Sequence, residues 1–461
     1  MEGLDASIVS VSRIGDLNPG FRIDAEFFSR AALDALAGIR AKGHEPLGDV
    51  CRRIQHPIEV KREYEDDGLL TIMAKNVRSN RVDLADTRYM PDELLPTVAR
   101  NRLSNGDILV TRTGANFGQT APWKRGVDAY ACADILILRE PSVPSGYLSS
   151  FLESRIGKPL MLRGGYGAGQ PHIAPPYLAN MLIPRLGIVE GRIDQIINSA
   201  SALEEKAATV LDDAGTTLLE ALGLADWTPP EPLTYAAKAS DALAAGRLDS
   251  RFFAPRIQAL LDILSAGGRT ISDVAKPRRE KFRPDQHLMF DYIEISDMDG
   301  AGATGRTRLV AAEAPSRATW HVRPGDIITS SVRPIRRLSA QIMPDQDGFV
   351  CSSGFVVVRP QDIAPEVLLT YLRLPVICEL LDLYASASMY PSITDADIFN
   401  LPMPELTTHV ETQIVDHLQN ARLAKARAAS LLDAAKRAVE IAIEDSETAA
   451  LAYLADVEGA N

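Results

Sequence analysis

The chain has 461 residues, 46% hydrophobic and 24% charged, a globular balance with more sequence than one core uses, so two to four packed units are expected. No apolar run reaches the roughly 18 to 20 residues of a membrane span, and the opening "MEGLDASIVS" lacks the basic start and apolar stretch of a signal peptide, which points to a cytoplasmic protein with no membrane partner. A net charge of −12 argues against nucleic acid at first sight. Residues 40–125, however, carry 15 Lys and Arg against 12 Asp and Glu, and residues 276–340 carry 12 against 8.

In chain order, "RIDAEFF" at Arg22–Phe28 precedes "RAALDALAGIRAKG", which reads as a helix closed by Gly43. "LGDV" follows at Leu47–Val50. "DILV" and "DILILR" read as short strands between Gly and Pro turns. The first half then runs through "GDILVTRTG" (Gly106–Gly114), "YAC" (Tyr130–Cys132), "QPHI" (Gln170–Ile173) and "NMLIPRL" (Asn180–Leu186). Behind Pro184, Val189, Ile193, Ile196, Ala200, Leu203, Ala207, Val210 and Ala214 alternate at four and three, the spacing of a coiled-coil seam. "DWTPPEPLTY" (Asp226–Tyr235) stops that helix with three prolines and forms a stiff connection.

The whole series then repeats. "RLDSRFF" at Arg247–Phe253, "ISDV" at Ile271–Val274, "GDIITSSVR" at Gly325–Arg333, "FVC" at Phe349–Cys351, "YPSI" at Tyr390–Ile393 and "NLPMPEL" at Asn400–Leu406 keep the order of the first half, with the offset drifting from 225 to 220. Ordered landmarks with a slowly drifting offset mean duplication. A second seam follows Pro404 through Ile414, Leu418, Ala421, Lys425, Ala428, Leu432, Ala435 and Val439, with Lys425 its polar intruder. The expected fold is α+β: domains at 1–187 and 236–407, long helices at 188–225 and 408–445, a linker at 226–235 and a tail at 446–461. The phenylalanine pairs Phe27–Phe28 and Phe252–Phe253 are expected to bury at each domain's edge, with Asp24 and Asp249 capping helices or pairing with the adjacent arginines.

A search for catalysis returns nothing. "APPY" at Ala174–Tyr177 is one residue from the Asn/Asp-Pro-Pro-aromatic loop of adenine-N6 methyltransferases, but Ala174 cannot accept the hydrogen bond of the amino group. "GGYGAG" at Gly164–Gly169 lacks the Walker lysine and the Rossmann spacing, so it reads as a turn. Cys51, Cys132, Cys351 and Cys378 include no CxxC pair, and the seven histidines include no pair at ligand spacing, so neither metal nor cofactor is expected.

The chain resembles the specificity (S) subunits of type I restriction–modification systems. The resemblance lies in "GDIL…TRTG", its counterpart "GDIITSSVR", the segment from Gly167 through "QPHI" to Pro184, and the RxDxxFF openings. It covers essentially the whole chain. It implies two tandem target-recognition domains, each followed by a helix, with the helices packed as an antiparallel coiled coil. It further implies that each domain reads one half of a bipartite sequence in double-stranded DNA, while the helices set the spacer and hold methyltransferase (M) subunits and a nuclease/translocase (R) subunit. Such a chain is not itself an enzyme. The second copy departs from the pattern, with "SVRPIRR" for the "TG" turn and "YPSI" for "QPHI".

Base reading needs forked cations and amide donors on loops. In the first copy these are Lys75, Asn76, Arg78 and Arg81; Arg112, Thr113, Asn116 and Gln119; and Arg163, Tyr166, Gln170 and His172. In the second they are Arg278, Arg279, Lys281 and Arg283; Ser330, Arg333, Arg336 and Arg337; and Tyr390. The alternative reading, favoured by the acidic net charge and the altered second copy, is a scaffold of an antiphage defence complex whose domains hold proteins rather than DNA.

Overall fold

Aliphatic runs too short for helices become strands in both halves of the chain. The computed structural model describes residues 8–15, 18, 20–84, 87–114, 116–167, 171–229, 231–299, 301–385 and 391–459. These fall into two compact units, 1–206 with 424–461 and 207–423, so both long helices contribute to both units.

The first unit holds an antiparallel sheet in the order Cys51–Gln55, Ile135–Pro141, Ile108–Thr111, Thr120–Pro122. The second holds the same sheet as Ala275–Pro277, Phe355–Pro360, Ile327–Ser330, Ser339–Gln341. Even the register repeats: Ile108 faces Leu138, and Ile327 faces Val358. The central strands are aliphatic where both of their faces are covered. Ile108, Val110, Leu136 and Leu138 enter one core, while Leu109, Ile135 and Ile137 enter another. Ile327, Val356 and Val358 are separated from Ile328, Phe355 and Val357 in the same way, the period of two expected of strands.

A smaller sheet carries a parallel pair in each unit, Leu69–Ile72 with Tyr130–Ala131 and Met289–Ile293 with Val350–Ser352. In the second unit it gains the strand Ala318–His321. In the first, a single bridge between Arg102 and Tyr130 marks the equivalent edge.

The helix before the first sheet is Arg30–Arg40, and its counterpart is Pro255–Leu264. The long helices are Ile188–Ala221 and Thr408–Glu444. Every seam position named from the sequence is buried except Leu203, Val210 and Lys425, which are half-buried. The residues after the second long helix, expected as a tail, form the helix Glu447–Gly459 with Ala450 and Leu454 fully buried in the first unit's core. Among the described residues no helix is long and apolar enough to cross a membrane, and no cluster of His, Cys, Asp or Glu could hold a metal ion.

Candidate nucleic-acid interface

The loop after the central strand has the same hydrogen-bond skeleton in both units. In the first, Thr111 N donates to Gln119 O at 2.8 Å and Phe117 N to Gly114 O at 3.1 Å. In the second, Ser330 N donates to Leu338 O at 2.8 Å and Arg336 N to Arg333 O at 3.0 Å. Each loop is sutured to a distant segment. Thr113 pairs with His172 and Ile173 N donates to Arg112 O; Val332 pairs with Ser392 and Ile393 N donates to Ser331 O. Across the described residues, the "SVRPIRR" segment and residues 391–393 thus keep the shared backbone bonds while their side chains change, and the suture gathers residues about 60 apart in sequence onto one patch.

In the first unit several named residues are committed to the fold. Asn76 is buried, accepts from Met73 N at 2.9 Å and donates to Asp83 O at 2.9 Å. Thr113 is buried and donates to Asp134 at 2.8 Å. Arg163 is buried, with its guanidinium 4.1 Å from the centre of the Phe27 ring and Nε donating to Tyr177 Oη at 3.1 Å. Arg81 reaches Glu204 on the first long helix at 3.7 Å, where Arg125 also lies at 3.5 Å.

The patch keeps Arg112, Asn116, Gln119, Tyr166 and His172. Tyr166 is 48% exposed on the hairpin Gly165–Tyr166 with His172–Ile173. Gln119 Oε1 and His172 Nδ1 are buried with no hydrogen-bond partner among the described residues. Arg112 lies 3.2 Å from His56 Nε2, a residue that sequence reading alone does not single out, because the contact spans 56 positions. Lys75 and Arg78 are half-buried on the neighbouring turn and strand, and Gln170 lies outside the described residues.

In the second unit, Arg278 pairs with the buried Asp326, and Ser330 is buried with its hydroxyl donating to Val332 O. Arg279 is exposed and pairs with Asp395 at 3.1 Å. Lys281, Arg283, Arg333, Arg336 and Arg337 are exposed. Tyr390 lies outside the described residues.

The repeated openings are clasps. Arg22 holds Asp24 through two 2.7 Å bonds and donates to the carbonyls of Arg163, at 2.8 Å, and Gly165. Asp24 accepts from Phe27 N. Arg247 holds Asp249 and donates to Leu383 O at 2.7 Å, while Asp249 accepts from Phe252 N. Leu383 is the repeat counterpart of Arg163. The pairing with Asp24 and Asp249 is as expected, and the carboxylates cap the turn before the helix rather than the helix itself. Burial of the phenylalanines holds fully for Phe27 alone; Phe28, Phe252 and Phe253 are half-buried. The Arg247 guanidinium lies 4.6 Å from the centre of the Phe252 ring.

The Gly-Asp pairs serve the scaffold too. Gly106 and Gly325 adopt φ of +92° and +86°, which only glycine takes without strain. Asp107 and Asp326 are buried, accept from Ser104 N and Arg323 N, and pair with Arg139 and Arg278. Desolvation raises the pKa of both, against those donors. Glu204 is likewise raised by desolvation and drawn back by the charges of Arg81, Arg125 and Lys425.

No known family model matches the chain, and no curated protein matches its sequence. Solved structures do. The S subunit of a type I restriction–modification system from M. genitalium is 12% identical, with 86% of this chain and 94% of that one covered and a TM-score of 0.36. The HsdS subunit from Thermoanaerobacter tengcongensis is 16% identical, with 88% and 96% covered and a TM-score of 0.26. A chain from a study of complex assembly and conformational transition in the type I R-M system is 16% identical, with 88% and 97% covered and a TM-score of 0.27. The chain is similar to specificity subunits. The overlap runs along nearly the full length of each chain, with little agreement in overall superposition.

Proposed function

We propose that this chain is a non-catalytic DNA-specificity subunit that reads a bipartite duplex target and positions methyltransferase subunits, and through them a nuclease/translocase, on it. The observation that carries this reading is the sutured loop, built twice on one backbone and furnished with different polar side chains each time. A repeated scaffold with divergent tips suits two different half-sites. The residues that meet DNA are then Arg112, Asn116, Gln119, Tyr166 and His172 in one unit and Lys281, Arg283, Arg333, Arg336 and Arg337 in the other, with Lys75, Arg78 and Arg279 flanking them.

The long helices are the spacer of this proposal, paired antiparallel. Support comes from the cores they share: Val189, Ile193, Ile196 and Ala200 lie in one core with Ala428, Leu432, Ala435 and Val439, and Ala214 and Leu218 lie in the other with Ile414 and Leu418. The early part of one helix meets the late part of the other.

Fluorescence anisotropy with labelled duplexes, alone and with the methyltransferase subunits, tests the function. Affinity is expected to fall steeply with salt, as release of counterions from several phosphates requires. No binding under either condition, or salt-insensitive binding of every duplex alike, refutes it and favours the protein scaffold that the net charge of −12 allows.

A further inference from the structure

The two sutured loops share the bonds from Thr111 N and Ser330 N, from Phe117 N and Arg336 N, and from Ile173 N and Ile393 N, so their sequences align without a gap: Gly114 corresponds to Arg333 and Gly118 to Arg337. Both positions are left-handed in both units, with φ of +92° and +78° at the glycines and +51° and +58° at the arginines. Glycine takes this conformation freely, whereas a residue with a Cβ does so at a penalty. Arg333 also precedes Pro334, which restricts its backbone further. The second unit therefore holds two arginines where the fold asks for glycine.

The turn around them is rigid. Arg333 N donates to Pro391 O at 3.0 Å, and Arg337 N donates to Pro334 O at 3.0 Å. Arg373, whose guanidinium burial and the neighbouring Arg337 charge lower to about 10, donates to the carbonyls of Arg337 and Ser339. Arg337 Nε in turn donates to Arg373 O at 2.8 Å, and the residue remains exposed. Arg333 is exposed, and among the described residues its guanidinium meets no partner. A Cβ built at the corresponding Gly114 meets nothing within 4 Å, so this position projects away from the domain.

We propose that Arg333, with Arg337 beside it, reads guanine in the major groove of the half-site met by the second unit. The proposal rests on the DNA-binding reading above. A forked, acceptor-free guanidinium matches the O6 and N7 acceptor pair of guanine. Contact with a phosphate needs no fixed orientation, since a flexible lysine on any loop provides it, and so gives no reason to keep arginine on a strained, clamped turn. The first unit, with glycine at both positions and amide and imidazole groups around them, lacks this fork at the same place.

The test is selection of bound duplexes from a randomised pool by the full chain, alone and with the methyltransferase subunits, comparing wild type with Arg333→Gly and Arg337→Gly. Glycine is the repeat's own residue at each position, so Arg333→Gly should fold with an unchanged or raised melting temperature, whereas Arg337→Gly also forfeits the bond from Arg337 Nε to Arg373 O and should weaken the same base preference at a lowered melting temperature. Wild type should enrich a guanine in one half-site. Arg333→Gly should lose that base preference and weaken binding of the selected duplex roughly 5- to 150-fold, leaving the other half-site unchanged. A uniform loss of affinity with the selected bases intact would make Arg333 a phosphate contact and overturn the proposal, as would a consensus without guanine in that half. Failure to enrich any sequence would overturn both this proposal and the DNA-binding reading beneath it.

Discussion

Replacing Arg22 with alanine should loosen the first unit and leave the second intact. The guanidinium is 25% exposed, pairs with a carboxylate that is 43% exposed, and donates to two main-chain carbonyls. The ion pair, largely in water, contributes about 0.5 kcal/mol, and two part-buried charged hydrogen bonds add about 1.5 kcal/mol each. The side chain regains about 1.5 kcal/mol of rotamer freedom when released, for a net loss of about 2 kcal/mol. Trp123, 1% exposed, is the tryptophan of the first unit, so urea unfolding followed by fluorescence in a Trp227→Phe, Trp320→Phe background isolates the right transition. Because Gly165 begins the hairpin that carries Tyr166 and His172, the variant should also exchange those amide hydrogens faster. A loss below about 0.5 kcal/mol, within the range of ordinary surface substitutions, would show that the opening signature is not a clasp.

The same clasps govern acid stability. Arg22 and Arg247 hold Asp24 and Asp249 below the usual carboxylate range, so their contribution is complete above an unfolded value of about 3.9 and disappears as pH falls through the lower folded values; an Arg22→Ala, Arg247→Ala double variant should show a shallower loss of stability below about pH 4. In the second unit, Arg422 reaches Glu366 at 2.8 Å, with the carboxylate 12% exposed. Burial alone would raise Glu366, but Arg422, a backbone donor and Gln341 bring it below its usual value. Arg422→Met should therefore destabilise that unit by about 2 to 3 kcal/mol, less than a fully buried pair, and adding Glu366→Gln should recover most of it; equal losses in both variants would refute the pairing. Burial pushes Cys51 to about 12 and Cys378 to about 11, so a disulfide reagent at pH 8 should label neither until denaturant is added, and labelling of the native protein within minutes would contradict the packing.

Duplication, α+β class and both helical seams were legible in the sequence because each is a local periodicity or a local repetition. Ile108, Leu109 and Val110 announce a strand wherever they fold, and the four-three spacing from Val189 to Ala214 announces a helix with one buried face. The basic and amide-rich loops were legible as composition. Their division of labour was not. Arg163, Arg278 and Asn76 read as surface readers because an arginine or amide in a Gly-rich loop looks the same in sequence whether it faces solvent or a buried acceptor. Only the tertiary fold, by bringing Tyr177 to Arg163 and Asp326 to Arg278, commits those two side chains, while Asn76 is held inside its own Met73–Asp83 turn, a geometry that composition does not reveal. It also places Gly114 and Arg333 at one left-handed position, in turns sutured at their flanks to segments about 60 residues away, contacts that no single stretch of sequence contains.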